Sequence, residues 1–214
     1  GFVNLPSFFA SRWNRRHTFR GSRVAIALGV GLLLLTGYLV GLGTHPIAAD
    51  NDSTESVQAP DVGFNGNACA YDSIGQATSY MLDGDTIYVD VSQPHTGDVI
   101  GLLDRDVTIA AAANNCQSLT DTLAIVDGGG QQWGSNGGMG AIDNGTTVTF
   151  ANLQLQNTHA DTGGILFVRD NGRALLNNTW LISGTAQTKG GGIHVSQGGS
   201  LRMTNGSAIY GNEV

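Results

Sequence analysis

The sequence predicts an all-β chain folded as a parallel β-helix, a solenoid of stacked coils. Three observations carry this. Gly supplies 32 of 214 residues, about twice the usual ~7%, while Pro is scarce at four, which removes collagen-like and Pro-rich alternatives. Short apolar segments alternate with period 2 between Gly- and Asn-rich bends, the mark of strands with one buried face. The pattern also recurs. "TVTFANLQLQN" (147–157), "RALLNNTWLISG" (173–184) and "SLRMTNGSAIYG" (200–211) align so that Asn152, Asn178 and Asn205 share a column, 26 and 27 residues apart. Such a repeat is too short for a helix-pair solenoid, and the leucine-rich frame is not maintained. One coil of three short strands and three turns fits, with coils ~4.8 Å apart.

Taken in order, residues 1–49 read as a targeting segment. They carry Arg12, Arg15, Arg16, Arg20 and Arg23 and no acid, followed by 20 uncharged, mostly apolar residues from Val24 to Gly43. The Arg cluster stays cytoplasmic, so everything after Gly43 is expected to be exported, to the outside or to the cell surface or outer membrane. Two outcomes stay open. Ile47 and Ala49 fit the −3 and −1 positions of a cleaved signal peptide. Residues 24–43 are also long enough to span a bilayer and remain as an N-terminal anchor.

Residues 50–63 read as a flexible acidic linker ("DNDSTESVQAPD" from Asp50 to Asp61), which leaves 64–214 as one folded domain. Residues 50–214 hold five basic side chains against 17 acidic ones, a net charge of −12. That balance excludes nucleic acid as a partner, because binding it needs a basic footprint. It suits solubility or divalent cations.

The domain opens on a short helix. Ile74, Ala77, Met81 and Leu82 lie on one face, Asp72 or Ser73 can cap it, and Gly84 ends it. An amphipathic helix here would cover the open hydrophobic end of the stack. "DTIYVDV" then reads as the first strand. In the repeats, Val148, Ala174 and Leu201, then Phe150, Leu176 and Met203, are the inward positions. A further column holds Leu155, Leu181 and Ile209, and another holds "GGI" at 163–165 and 191–193, with "GAI" at 140–142 as a weaker copy. The Asn column reads as a buried amide ladder along the stack, at corners that need a left-handed backbone. The Gly pairs supply positive φ at other corners. "GNEV" stops where another coil would begin, so the chain reads as truncated, with an uncapped last rung.

The order "C-x-Y-x-S-I-x-x-A", "GDTIYV", "DVTIAA", "LAIVDGGG" and then Gly-Gly-Ile coils resembles bacterial right-handed parallel β-helix proteins of the pectin-lyase-like superfamily, over Cys69 to Val214. The repeats are similar to the polymorphic outer-membrane protein type, which carries Phe-x-x-Asn where this chain has apolar-x-Asn. The resemblance implies a right-handed helix. It also brings in relatives that cleave polysaccharides with clustered carboxylates, often calcium, and an Arg or Lys base. Cys69 and Cys116 are the only cysteines, and an even count in an exported chain predicts a disulfide between them.

Candidate site groups are Asp143, Asp161, Asp170, Arg169, Arg173, Lys189, His159, His194 and Arg202, with Asp170 and Arg173 flanking one bend. Solvated turn charges account for all of them. His194 is expected to point outward into solvent, and Trp133 and Tyr210 are candidates to stack on sugars. "GGMGAID" (137–143) has Ile142 where the nonapeptide calcium repeat needs Asp. The sequence therefore predicts no catalytic residue, no metal ligand and no cofactor, with calcium the only one left open. The expected function is an exported, non-catalytic β-helix module, structural or adhesin-like. Its expected partner is an extracellular polysaccharide or a host or cell-surface ligand. The alternatives are a polysaccharide lyase or glycoside hydrolase of the same fold, or a carbohydrate-binding β-helix.

Overall fold

A computed structural model describes residues 60–196 and 198–214, the side chain of Trp133 excepted. The predicted signal or anchor segment and residues 50–59 of the predicted linker lie outside the described residues. Among the described residues no helix is long and apolar enough to cross a membrane.

The chain is a parallel β-solenoid of about four turns. It begins with β1 (Val62–Phe64) and α1 (Ile74–Thr78). The first coil holds β2 (Thr86–Asp90), β3 (His95–Thr96) and β4 (Gly101–Leu103). The second holds β5 (Val107–Ala113), β6 (Ser118–Leu119), β7 (Ala124–Asp127), β8 (Gln132–Asn136) and β9 (Gly140–Ile142). The third is β10 (Thr147–Ala151), β11 (Leu153–Gln156), β12 (His159–Thr162) and β13 (Leu166–Val168). The fourth is β14 (Arg173–Asn177), β15 (Trp180–Ile182), β16 (Thr185–Lys189) and β17 (Ile193–Val195), after which come β18 (Ser200–Thr204) and β19 (Ala208–Tyr210).

Stacking these coils makes four sheets, not three. Sheet 1 runs β1-β2-β5-β10-β14-β18, with β6 paired to β5. Sheet 2 runs β3-β7-β11-β15-β19, sheet 3 β8-β12-β16, and sheet 4 β4-β9-β13-β17. Sheet 3 is the one that the sequence conceals. Strands β12 and β16 are polar ("HADT", "TAQTK"), and only Ala160 and Ala186 within these two are buried. They carry no run of alternating apolar residues, so they read as bends.

The predicted core columns are in register. Val148 pairs with Ala174 and Ala174 with Leu201; Phe150 pairs with Leu176 and Leu176 with Met203. Leu155, Leu181 and Ile209 likewise stack. All of these are buried in the third and fourth coils. Leu201 and Ile209 are only half-buried and Met203 is exposed, because no described strand lies on the far side of β18 and β19.

The glycine column needs a correction of one residue. The hydrogen bonds Gly163 N–H to Lys189 O, Gly164 N–H to Gly190 O and Ile165 N–H to Gly192 O set the register. Gly163-Gly164-Ile165 therefore stacks on Gly190-Gly191-Gly192, and Ile193 pairs with Leu166. "GAI" at 140–142 pairs with Leu166–Val168. The equivalent below is Gly137-Gly138-Met139. Gly137, Gly163 and Gly190 share positive φ (74°, 67° and 65°). The next column is crowded by backbone: a Cβ on Gly138 would strike Gly164 O, and one on Gly164 would strike Gly191 O. Only Gly lets these corners stack at rung spacing.

At the N-terminal end, β1 pairs antiparallel with β2, so Val62 and Gly63, within the predicted linker, are strand residues and β1 precedes "DTIYVDV". The α1 helix is a single turn. Ser73 caps it by accepting the Gln76 N–H at 3.0 Å. Ile74 and Ala77 are in the core and Met81 is buried beyond the helix end, but Leu82 is exposed. The turn ends at Ser79, well short of Gly84. The helix packs against β1 and against the first-coil strands β2 and β4.

Candidate functional site

Cys69 and Cys116 form a disulfide, with Cα atoms 5.1 Å apart. It lies against β1 and β2: a Cβ on Gly63 would meet the Cys116 Cβ at 2.9 Å, and the Cys116 Sγ is 3.7 Å from Tyr88 O. Asn114, Asn115 and Cys116 all have positive φ (56°, 57° and 61°), and Gln117 N–H bonds Ala113 O at 3.1 Å. This is one left-handed turn. The buried carboxylate of Asp90 ties it down by accepting the Cys116 N–H at 3.2 Å. Burial pushes the Asp90 carboxyl up, but bonds from Ser92, Cys116 and Asn115 outweigh it and hold the group below its ordinary value. His95 is buried beside it. Its Nε2 lies 2.9 Å from the Asp90 main-chain carbonyl oxygen, and its Nδ1 is 3.3 Å from the Asp61 carboxylate. Cys69, Asp90 and Cys116 bring three potential metal ligands within 4.8 Å. The disulfide consumes both thiols, which leaves one carboxylate and no metal centre there.

On the outer face of sheet 4, Asp143 and Arg169 meet at 3.3 Å, and Arg169 also lies 3.5 Å from Asp170. Arg169, rather than Arg173, is therefore the partner of Asp170. The Arg169 guanidinium lies 5.7 Å from the Phe167 ring centre, and His194, one coil on, stacks on the same ring, 5.3 Å away and 14° from parallel. His194 does point away from Ile193 and Val195, as expected, but onto Phe167 rather than into open solvent. The cation here is neutralised by carboxylates and covered by an aromatic ring, an arrangement that fixes a corner and leaves no free base.

The outer face of sheet 3 carries Asp161, whose Oδ1 accepts from Gln132 one coil away at 3.0 Å. Thr162 and Thr188 hydroxyls bond at 2.9 Å. His159 begins β12, Lys189 ends β16, and Arg173 and Arg202 lie on the solvent side of sheet 1. Among the described residues no carboxylate of these strands forms an ion pair with Lys189 or Arg202.

The Asn column lies at the corner between sheets 1 and 2. Asn152, Asn178 and Asn205 have φ of 57°, 47° and 53°. Asn178 Nδ2 donates to Asn152 Oδ1 at 2.8 Å, and Asn152 Nδ2 to Thr120 O at 2.8 Å. Asn205 instead donates to Asn177, one residue aside. Asn152 and Asn178 are half-buried and Asn205 is exposed, so the ladder is a surface corner rather than a buried stack.

Sequence inspection missed the outer face of sheet 2. Gln154 Nε2 donates to Gln156 Oε1, Gln156 Nε2 to Asp127 Oδ2 at 2.7 Å, and Asn157 Nδ2 to Asp127 Oδ1 at 3.0 Å. Gln154 lies under Trp180, and Gln156 under Ile182 and then Tyr210. Trp180 and Tyr210 meet edge to face, 6.4 Å apart. A signal existed: "LQLQ" in β11 and "WLI" in β15 have outward residues at the same offset from the Asn column.

The fold places the chain among parallel β-solenoids. No protein-family profile, curated protein or solved structure matches it.

Proposed function

We propose that the chain is an exported, non-catalytic β-helix module of a secreted or cell-surface protein, right-handed and of the pectin-lyase-like type. One observation carries the reading. The outward polar side chains bond to neighbours one coil away: Asn178 to Asn152, Gln156 to Asp127, Gln132 to Asp161 and Thr162 to Thr188. Groups used to lock coil to coil stiffen a rod, whereas catalysis needs them to converge on a reacting atom. The disulfide agrees with an oxidising compartment. The test is incubation of the full chain with a polysaccharide panel, with and without calcium. No release of unsaturated uronates or reducing ends is expected; release of either overturns the proposal.

A second reading is favoured by sheet 2. Half-exposed Tyr210 and Trp180 beside the Gln154, Gln156 and Asp127 cluster supply aromatic faces and hydrogen-bond groups at one surface. That is the chemistry by which a carbohydrate is held without being cleaved. Retardation in glycan-loaded gels that Trp180→Ala abolishes would establish it.

A further inference from the structure

Sheets 1, 2 and 4 each receive a strand from the first coil, namely β2, β3 and β4. Sheet 3 does not. Between β3 and β4 the chain crosses in residues 97–100, whereas the next coil takes residues 128–139 and includes β8. The short crossing is drawn towards α1. Asp98 accepts the Ile74 N–H at 2.7 Å, and the Thr78 hydroxyl donates to Ile100 O at 2.8 Å. Among the described strands β8 therefore pairs with β12 on one side only. Along its other edge lies a cavity of about 250 Å³, lined by Val99, Gly101, Leu102, Gly134 and Gly140 among others.

The solenoid's own repeat says what fits this place. An unpaired strand edge takes another extended backbone. The inward column of sheet 3 is Gly134, Ala160 and Ala186, all small. A Cβ on Gly134 would meet only Asn136 N, 4.0 Å away, so the cavity is open on the inward side of β8. Glycine lining lets a second main chain approach closely. The body, with five basic residues against 17 acidic ones, disfavours an acidic occupant. We infer that the position below β8 is a strand-acceptor slot for an extended peptide segment of another protein, neutral or basic, with Ala or Gly at its central inward position. This goes beyond the function proposed above and does not depend on it.

The probe is the capped peptide Thr-Ala-Gln-Thr-Lys, the sequence of β16, added at millimolar concentration to the isotopically labelled full chain. Hydrogen exchange of the β8 amides should slow about tenfold. The same peptide with Trp in place of its Ala should give no protection. Gly134→Phe, which fills the slot from the β8 side, should abolish protection while leaving the far-ultraviolet spectrum unchanged. Absence of protection, equal protection by the Trp peptide, or protection confined to β18 and β19 at the other open edge would each overturn the inference.

Discussion

Asn178 shows how much one residue does at a corner of this fold. It holds φ at 47° and donates to Asn152. A left-handed backbone costs an ordinary L-residue about 1–2 kcal/mol, and a hydrogen bond of this kind contributes roughly 0.5–1.5 kcal/mol. The two effects separate by substitution. Asn178→Gly keeps the conformation and loses the bond, so it should destabilise by about 1 kcal/mol. Asn178→Ala loses both and should cost about 2–3 kcal/mol. Urea unfolding of the two variants checks this. Equal losses would mean that the ladder, not the backbone, sets the requirement for Asn. The sequence exposed this column because Asn recurs at a fixed interval. It could not show that Asn205 turns to Asn177, since that choice depends on how two neighbouring amides pack.

Among elements, the disulfide-bound turn is the most constrained. Three successive left-handed residues, Asn114 to Cys116, are tied through Cys116 to Cys69 and through its N–H to Asp90. A 47-residue closed loop restricts the unfolded chain by about 4 kcal/mol in the chain-entropy account. Paired Cys69→Ser and Cys116→Ser substitution should therefore cost roughly 2–5 kcal/mol. Exchange should rise first at residues 113–119, which hydrogen exchange by mass spectrometry would detect; uniform loosening of all coils would contradict this. The pairing itself was legible from a count of two cysteines together with the expectation of export. The left-handed turn was not, because "ANNCQ" has no Gly to announce it. Sheet 3 was illegible for a related reason: its strands owe their conformation to neighbours one coil away, and β12 and β16 carry only one buried side chain each.

At the scale of the molecule, the ionisable groups divide by sign. At Asp127, burial raises the carboxyl, but bonds from Gln156, Gly129 and Asn157 outweigh it and hold the group below its ordinary value. Such a group contributes stability above its unfolded value and loses it as pH falls through the folded value. Asp98 has the opposite sign. Burial keeps it raised against the N–H groups of Ile74, Gly75 and Val99, so its contribution is greatest at acid pH and is lost as pH rises through the folded value. Asp127→Asn should therefore flatten the fall in stability below about pH 4, the ordinary carboxyl range, with little change in slope above it. Unfolding free energies over roughly pH 2–6 would check this; an unchanged acid slope would refute it.

By itself the sequence determined the parallel β-solenoid, its repeat length, three of the core columns and the disulfide. Each of these rests on a period or a count, which a linear chain displays directly. Only the tertiary structure decided the fourth sheet, the one-residue shift of the glycine column, the pairing of Arg169 with Asp143 and Asp170, and the edge of β8 left unpaired among the described strands. These depend on which coil lies against which. Stacking brings residues about 26 apart to within ~4.8 Å of each other, and a shift of one residue in that stacking changes every contact.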